Sequence, residues 1–497
     1  MSTAHAAGLR TKALEGTVLG PIAQAALRRS EALPAVTEAH MLAAKAAPRA
    51  ARSFRAALEQ SGRRFILEVK SASPSLGLIR SDVDLEAVAR AYSRHADAVS
   101  VLTEPTAFGG SFERLRDMRA LTALPILAKD VTVDERQILA ARTAGADAVL
   151  LMLSVLEPEA CAKLAAFAKS LGLDVLTEAS GEAEVREAVA MGADIIGVNH
   201  RNLRDLSIDL ERSARLAPLV PEDRILVAES GMRSHADVER VARAARVFLV
   251  GSVLNQADDP SLAVRRLVFG EMKICGVTRA EDAAEAAIAG FSAAGVVLAR
   301  RSPRAVSPDG LVELSAAVAA RTRALGLSMP VTAVVDAQER DLIDTLASPA
   351  CSGAFTTLQL HGRVTNEDLL RLRRILPGKA LHVAAALPEN ADALAAETRR
   401  LERLLEEGLA DRIVVDGTKA GLTGGSARRV PLERLGAFSD LSRIRLAGGL
   451  TPENAREAAG TGVAGLDANS GVESAPGLKD PKRMADFAAR VRGTPAA

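Results

Sequence analysis

The sequence predicts an α/β chain of two (β/α)8 barrels fused in tandem, with a helical extension before the first. Three observations predict it. Short apolar runs recur along the chain, and each is followed by an Ala-, Leu-, Glu- and Arg-rich stretch at helical spacing that closes on glycine. The series has eight members and then begins again. Finally, 497 residues exceed one typical barrel and suit two.

In the first half, residues 1–60 are rich in Ala, Arg and Glu with no strand-like run, so they are expected to form helices that precede the barrel and cover one end of it. The strands are expected at 65–70, 98–103, 125–130, 148–153, 174–179, 195–200, 225–230 and 247–252. In a (β/α)8 barrel the carboxyl ends of the strands carry the active site, so Lys70, Lys129, Glu178, Asn199, Glu229 and Ser252 are expected to converge on one mouth.

The second series runs 272–277, 293–298, 330–335, 356–361, 381–386, 412–417, 443–448 and 463–469, with Cys275, His361, Asp416, Gly448 and Ser470 at strand ends. The join is expected near 269–272, where a helical stretch gives way to a strand with almost no linker. This gives domains of 1–270 and 271–497. Residues 493–497 read as a loose tail.

Composition narrows the function. Lys and Arg number 63 against 62 Asp and Glu, so no global field favours nucleic acid, and an anionic substrate must be held locally. Aromatic residues are scarce, with one Tyr (Tyr92) and no Trp, which disfavours recognition by base stacking. Three cysteines (Cys161, Cys275 and Cys351) lie far apart, without CxxC or metal-like His spacing. That pattern predicts a reducing compartment and no metal site. No apolar stretch approaches a membrane span and the amino terminus has no secretory apolar core, so a soluble, cytoplasmic protein without a membrane partner is expected.

The most specific segment is Glu68-Val-Lys70-Ser-Ala-Ser73-Pro-Ser75. Glu68 and Lys70 are two residues apart, hence on one face of a strand. A loop of hydroxyl and backbone donors follows. Taken alone, this is equally a salt-bridged strand end before an ordinary turn. Lys129-Asp130, Thr177-Glu178, Asn199-His-Arg201, Glu229-Ser-Gly231 and Gly251-Ser252 then place charged or phosphate-cradling groups at successive strand ends.

Together these motifs resemble the indole-3-glycerol phosphate synthase family over residues 1–268. The resemblance implies ring closure on a carboxyphenylamino-deoxyribulose phosphate with loss of carbon dioxide and water. It further implies that Lys129 is the general acid, with a pKa lowered toward working pH by burial beside other cations. Lys70 would hold the substrate carboxylate and share acid duty. Glu178 would take the final ring proton or receive the charge of the departing hydroxyl. Glu68, Asn199 and Glu229 would orient lysines and substrate hydroxyls. Ser73, Ser230, Gly231, Gly251 and Ser252 would grip phosphate. Arg201 is either a substrate contact or a solvated surface arginine. Leu76 stands where the family often has lysine.

The second half opens on Lys273-Ile-Cys275-Gly-Val-Thr278, with Thr278 able to cap the next helix. An isolated Cys on an apolar strand is most often core filler. Gln359-Leu-His361-Gly, Asp416-Gly with Gly424-Gly-Ser426, Gly448-Gly449 and Asp467-Ala-Asn-Ser470-Gly471-Val-Glu473 argue otherwise. In combination they resemble the phosphoribosylanthranilate isomerase family over residues 271–492. The resemblance implies an Amadori rearrangement with Asp416 as acid and Cys275 as base. Asp416 would need a pKa raised by burial, and Cys275 a helix start or cation to reach thiolate. Arg304 would contact the anthranilate carboxylate, while Gly448, Gly449, Ser470 and Gly471 would cradle phosphate. Asp467 reads as structural support, and His361 as ligand contact or hydrogen-bond anchor. The fifth strand, His382-Val-Ala-Ala-Ala-Leu387, lacks a lysine common in the family, and Val331-Thr-Ala-Val-Val-Asp336 lacks a common phenylalanine.

The product implied for the second barrel is the substrate implied for the first. Neither reaction calls for a metal or organic cofactor, so none is expected. The partners are phosphorylated small molecules, and a monomer is expected. Two rivals are one barrel drifted to a related sugar-phosphate isomerisation and a non-catalytic phosphate binder. A mere binder needs the glycines but not Lys129, Glu178, Cys275 and Asp416.

Overall fold

The computed structural model describes residues 8–202, 205–417 and 429–494. Eight parallel strands close the first barrel: Arg64–Val69, Ala98–Leu102, Ile126–Lys129, Ala148–Met152, Asp174–Ala179, Ile195–Asn199, Ile225–Glu229 and Val247–Val250. Each pairs with the next in sequence, and the eighth returns to the first with Arg64 opposite Val247. The second closes in the same way from Lys273–Cys275, Ala293–Val297, Val331–Asp336, Thr357–His361, Ala380–Ala385, Arg412–Val415, Ile444–Ala447 and Gly465–Ala468. Strand order follows chain order because each crossover helix returns the chain right-handedly to the neighbouring position. The compact units divide between Val264 and Arg265, inside the helix Pro260–Phe269.

The strands form where branched aliphatic residues run together, since every strand of a closed parallel barrel is covered on both sides. Helices start where a polar cap precedes them, as at Ser111, Asp134 and the reciprocal Ser234–Asp237 and Thr365–Asp368 boxes. A recurrent aspartate ties off the amino ends of strands. Asp97 accepts from Phe65 N (2.8 Å), Asp147 from Ile126 N (2.9 Å) and Asp411 from Leu381 N (2.7 Å). Each stands just ahead of the next strand and satisfies a backbone donor that the ladder leaves over.

The extension reaches both ends of the first barrel, not one. The helix Leu19–Glu31 lies at the carboxyl end, where Arg29 bonds Glu104 (2.8 Å) and Asp130 (3.0 Å). The helix Phe54–Glu59 lies at the amino end: Arg55 N donates to Asp174 (2.8 Å), Arg55 pairs with Asp194 (2.9 Å), and Phe54 and Leu58 are wholly buried. Between them, Arg142 donates to the Ala47 and Pro48 carbonyls. At the other terminus, Gly493 (φ 76°) is a left-handed stop for the helix Pro481–Arg492, and Thr494 N bonds Ala489 O. Residues 493 and 494 therefore belong to a helix cap rather than a loose tail.

Among the described residues no helix is long and apolar enough to cross a membrane, and no cluster of His, Cys, Asp and Glu could hold a metal ion. All three cysteines are unpaired and buried.

Candidate active sites

The carboxyl mouth of the first barrel opens into a cavity of about 790 Å³, a size suited to a drug-sized ligand. Every first-half candidate except Glu229 lines it. Glu229 lies just behind the wall, fully buried, and binds Lys129. Because successive side chains along a strand point to opposite faces, only residues at matching register reach the mouth.

The centre is a chain of charges. Lys70 Nζ donates to Glu68 Oε1 (2.6 Å); Lys129 Nζ lies 3.6 Å from Glu68 Oε2 and 3.0 Å from Glu229 Oε2. Asn199 Nδ2 donates to Glu178 Oε1 (3.2 Å). Burial works against the charge on Glu68, but Lys70 and Lys129 outweigh it and hold the carboxyl below its usual range. Burial, reinforced by Glu229, pushes Glu178 up to about 7. The expected lowering of Lys129 is reversed: burial opposes its charge, yet Glu229, Glu68 and Glu178 surround the ammonium and raise its pKa. Anionic neighbours rather than cations decide it.

Two glycines make room for this cluster. A Cβ on Gly251 would stand 2.3 Å from Glu68 Oε1, and one on Gly197 would stand 2.0 Å from Glu229 Oε1. Ser230 (φ 68°) and Gly231 (φ 82°) form a left-handed turn at the end of the seventh strand, a costly conformation for serine. The Ser230 carbonyl lies 3.0 Å from His200 Nδ1, and His200 Nε2 lies 2.7 Å from Ser213 Oγ, which fixes that turn from below. Ser252 opens a short helix after Gly251. Ser73 is buried, its hydroxyl 3.4 Å from Ser75 Oγ. Arg201 sits on the cavity wall, donating to Leu206 O (3.1 Å), and is not a freely solvated arginine.

Sequence reasoning missed Asn255 and the cavity's apolar roof. Asn255 Nδ2 donates to the Glu68 and Gly251 carbonyls (both 2.8 Å), and its Oδ1 accepts from Lys70 N (3.1 Å), clamping the first strand to the eighth. Val18, Leu19 and Ile22 of the extension join Phe108 and Leu150 as apolar walls. No local signal marks a helix residue as part of a mouth more than a hundred positions away.

In the second barrel a narrower cavity of about 70 Å³ is lined by Cys275, Arg304, His361, Asp416, Gly448, Gly449, Ser470 and Gly471, the full second-half set. Cys275 and Asp416 are both buried. Burial pushes the Cys275 thiol up, against the pull of Lys273. Arg304 holds Glu473 through two bonds, Nε to Oε1 at 2.9 Å and Nη2 to Oε2 at 2.6 Å. Lys479 Nζ completes that cluster, 2.7 Å from Glu473 Oε1 and 3.0 Å from Asn469 Oδ1. Gly276 (φ 70°) lets Arg304 and Asn469 close in, since a Cβ there would stand 2.5 Å from Arg304 Cδ. Gly448 and Gly449 are both left-handed, and Asn454 ties their loop by donating to Gly449 O (2.9 Å).

Lys273 and Gln359 stand in the quoted motifs but carried no assignment. Lys273 is wholly buried, 2.7 Å from Asp467 Oδ2 and 2.7 Å from Gln359 Oε1. Gln359 Nε2 in turn lies 3.0 Å from His361 Nε2, making that ring nitrogen the acceptor, and burial lowers the His361 pKa to about 4. The spacing of two was the available signal, as for Glu68 and Lys70. Thr278 is not a helix cap: Arg279 holds the cap position of Ala280–Ala289, and Thr278 donates to Gly477 O (2.7 Å). His382 faces Arg445, its pKa lowered well below the usual value by burial and that arginine. Gly424-Gly-Ser426 lies outside the described residues.

A family model for indole-3-glycerol phosphate synthase matches residues 22–267, and one for N-(5'phosphoribosyl)anthranilate (PRA) isomerase matches residues 272–490. Curated proteins named tryptophan biosynthesis protein TrpCF are similar across both halves. That of Yersinia pestis is 41% identical over 87% of this chain and 86% of its own length. The Vibrio cholerae protein is 40% identical over 89% of each chain. The Corynebacterium glutamicum protein is 40% identical over 86% of this chain and 87% of its own.

Proposed function

The chain belongs to the indole-3-glycerol phosphate synthase family in its first barrel and to the phosphoribosylanthranilate isomerase family in its second, and from that premise we propose which of its residues perform each reaction. It is a bifunctional enzyme of tryptophan biosynthesis, a lyase and an isomerase in one polypeptide. The observation that supports the residue assignment best is convergence. Charged groups from strands far apart in sequence meet at one mouth in each barrel, and each mouth holds a group to give a proton and a group to take one.

In the second barrel Asp416 gives a proton to the aminoribose ring oxygen as the ring opens. Cys275 takes the proton from the adjacent carbon, so the carbonyl moves along the chain and the amino-deoxyribulose phosphate forms. Arg304 receives the anthranilate carboxylate in competition with Glu473, and Gly448, Gly449, Ser470 and Gly471 cradle the phosphate. In the first barrel Lys129 protonates the ketone oxygen while the ring carbon bearing the carboxylate attacks the carbonyl carbon. Carbon dioxide leaves with the electron pair returning to the ring, and the hydroxyl departs as water. Lys70 holds the carboxylate, and Glu178, with its raised pKa, takes the final proton. Lys129 is held protonated between Glu229 and Glu68, so it enters the reaction as the acid. Ser73, Ser230, Gly231, Gly251 and Ser252 hold the phosphate, with Arg201 beside it.

We further propose domains of 1–270 and 271–497, a monomer, and a cytoplasmic location. The test is conversion of phosphoribosylanthranilate to indole-glycerol phosphate by the purified chain, followed by fluorescence. Product is expected from the wild type, and loss of one step only from Lys129→Ala or Cys275→Ala. If the Lys129→Ala chain makes indole-glycerol phosphate at the wild-type rate, the assignment of the acid falls.

A further inference from the structure

A buried thiol is a poor base, because burial disfavours the thiolate that must do the work. The surroundings of Cys275 supply the missing charge. Lys273 stands two residues earlier on the same strand and face, with Nζ 3.6 Å from Cys275 Sγ, 2.7 Å from Asp467 Oδ2 and 2.7 Å from Gln359 Oε1. An ammonium has three N–H bonds, and sulfur, carboxylate and amide oxygen are three acceptors. Asp467 pairs directly with this wholly buried ammonium, so its charge does not stand alone in the core. Gln359, anchored on His361, fixes where the ammonium points.

The other charged groups facing the sulfur are already committed. Lys479 and Arg304 also feel the sulfur's charge, and both are bound to Glu473. Asp416 lines the same cavity, and His361 is held neutral. The Gly276 N–H also favours the thiolate. Lys273 is thus the cation whose Nζ donates directly to the sulfur.

We propose that Lys273 is a positioning residue that favours the thiolate form of Cys275 against burial, with Asp467 setting how strongly it does so. This rests on the reading of Cys275 as the isomerase base. The lysine touches no substrate atom and acts only through the sulfur. Two substitutions then have opposite signs. Lys273→Met removes the stabilising charge and raises the thiol pKa. Asp467→Asn removes the opposing charge and lowers it.

The experiment is alkylation of Cys275 by iodoacetamide over a pH series on the full chain, quantified on the Cys275 peptide by mass spectrometry. The midpoint is expected to rise by about 1–2 pH units in Lys273→Met and to fall in Asp467→Asn, with Lys273→Arg near wild type. The acid limb of the isomerase pH profile should move in step. A residue that merely fills space would change activity without moving the midpoints in opposite directions. Unmoved midpoints in both variants overturn the proposal. If Lys273→Met does not fold, the nearly isosteric Asp467→Asn carries the test alone: a downward shift supports the proposal, and none overturns it. If Cys275→Ala retains isomerase turnover, the base assignment fails separately, whatever the alkylation series reads.

Discussion

Glu178 shows how one buried carboxyl couples chemistry to stability. Its pKa in the folded chain is raised to about 7 by burial and by Glu229. A folded pKa above the unfolded one means that the protonated form costs nothing below the unfolded value, and that stability is lost as pH rises through about 7. Glu178→Gln should therefore raise the melting temperature at mildly alkaline pH, by on the order of 1–3 kcal/mol of stability, and do little near pH 4. Thermal melts at the two pH values check this. In the same variant, synthase turnover should collapse while isomerase turnover persists. Arg29 makes a second case. It is the cation that bonds both Glu104 and Asp130, and burial, relieved by Arg29, leaves Asp130 at about 6. Removing one partner from a buried ionic cluster costs more than the cluster contributes. Arg29→Ala should destabilise the first barrel by about 2–4 kcal/mol, read by denaturant unfolding.

At the scale of elements, the glycines at strand ends act as spacing devices. Gly251 and Gly197 each leave a carboxylate the volume that a methyl group would occupy. Gly251→Ala should displace Glu68 and cut synthase kcat/KM by roughly 10–100-fold with isomerase unaffected, assayed separately on the two substrates. Such roles explain what the sequence could and could not convey. The strands were legible because apolar runs of four to six residues recur with helical stretches between them, and many mouth residues because these runs turn polar at their carboxyl ends. Period-two pairs such as Glu68 with Lys70 were legible for the same reason, although Lys273 before Cys275 obeys that rule and went unassigned. What was not legible depends on side-chain volume and long-range register. Asn255 bonding the first strand, and Val18, Leu19 and Ile22 roofing a cavity, carry no local mark. The sign of the Lys129 shift was missed because it hangs on which charges stand nearest, and three of them are carboxylates from other strands.

At the scale of the whole molecule, the boundary between the units falls within one continuous helix. Arg265, on its second half, is wholly buried and donates to the Phe291 and Ser328 carbonyls. A fragment starting at 271 loses these bonds, so an isomerase fragment of 265–497 should be the more stable of the two, by about 2–4 kcal/mol. Parallel denaturation curves decide the point, and equal midpoints would place Arg265 outside the second unit's stabilising contacts. Barrel closure has a further consequence, for the order in which the chain is made. The first barrel cannot shut until Val247 reaches Arg64, and the second until Asp467 reaches Lys273. On the ribosome the synthase half therefore has all its strands in hand before the isomerase half has any. The isomerase half stays an open sheet until the strand Gly465–Ala468 emerges. Premature termination is thus asymmetric: stopping before Gly465 should leave a working synthase tethered to an unclosed, aggregation-prone partner.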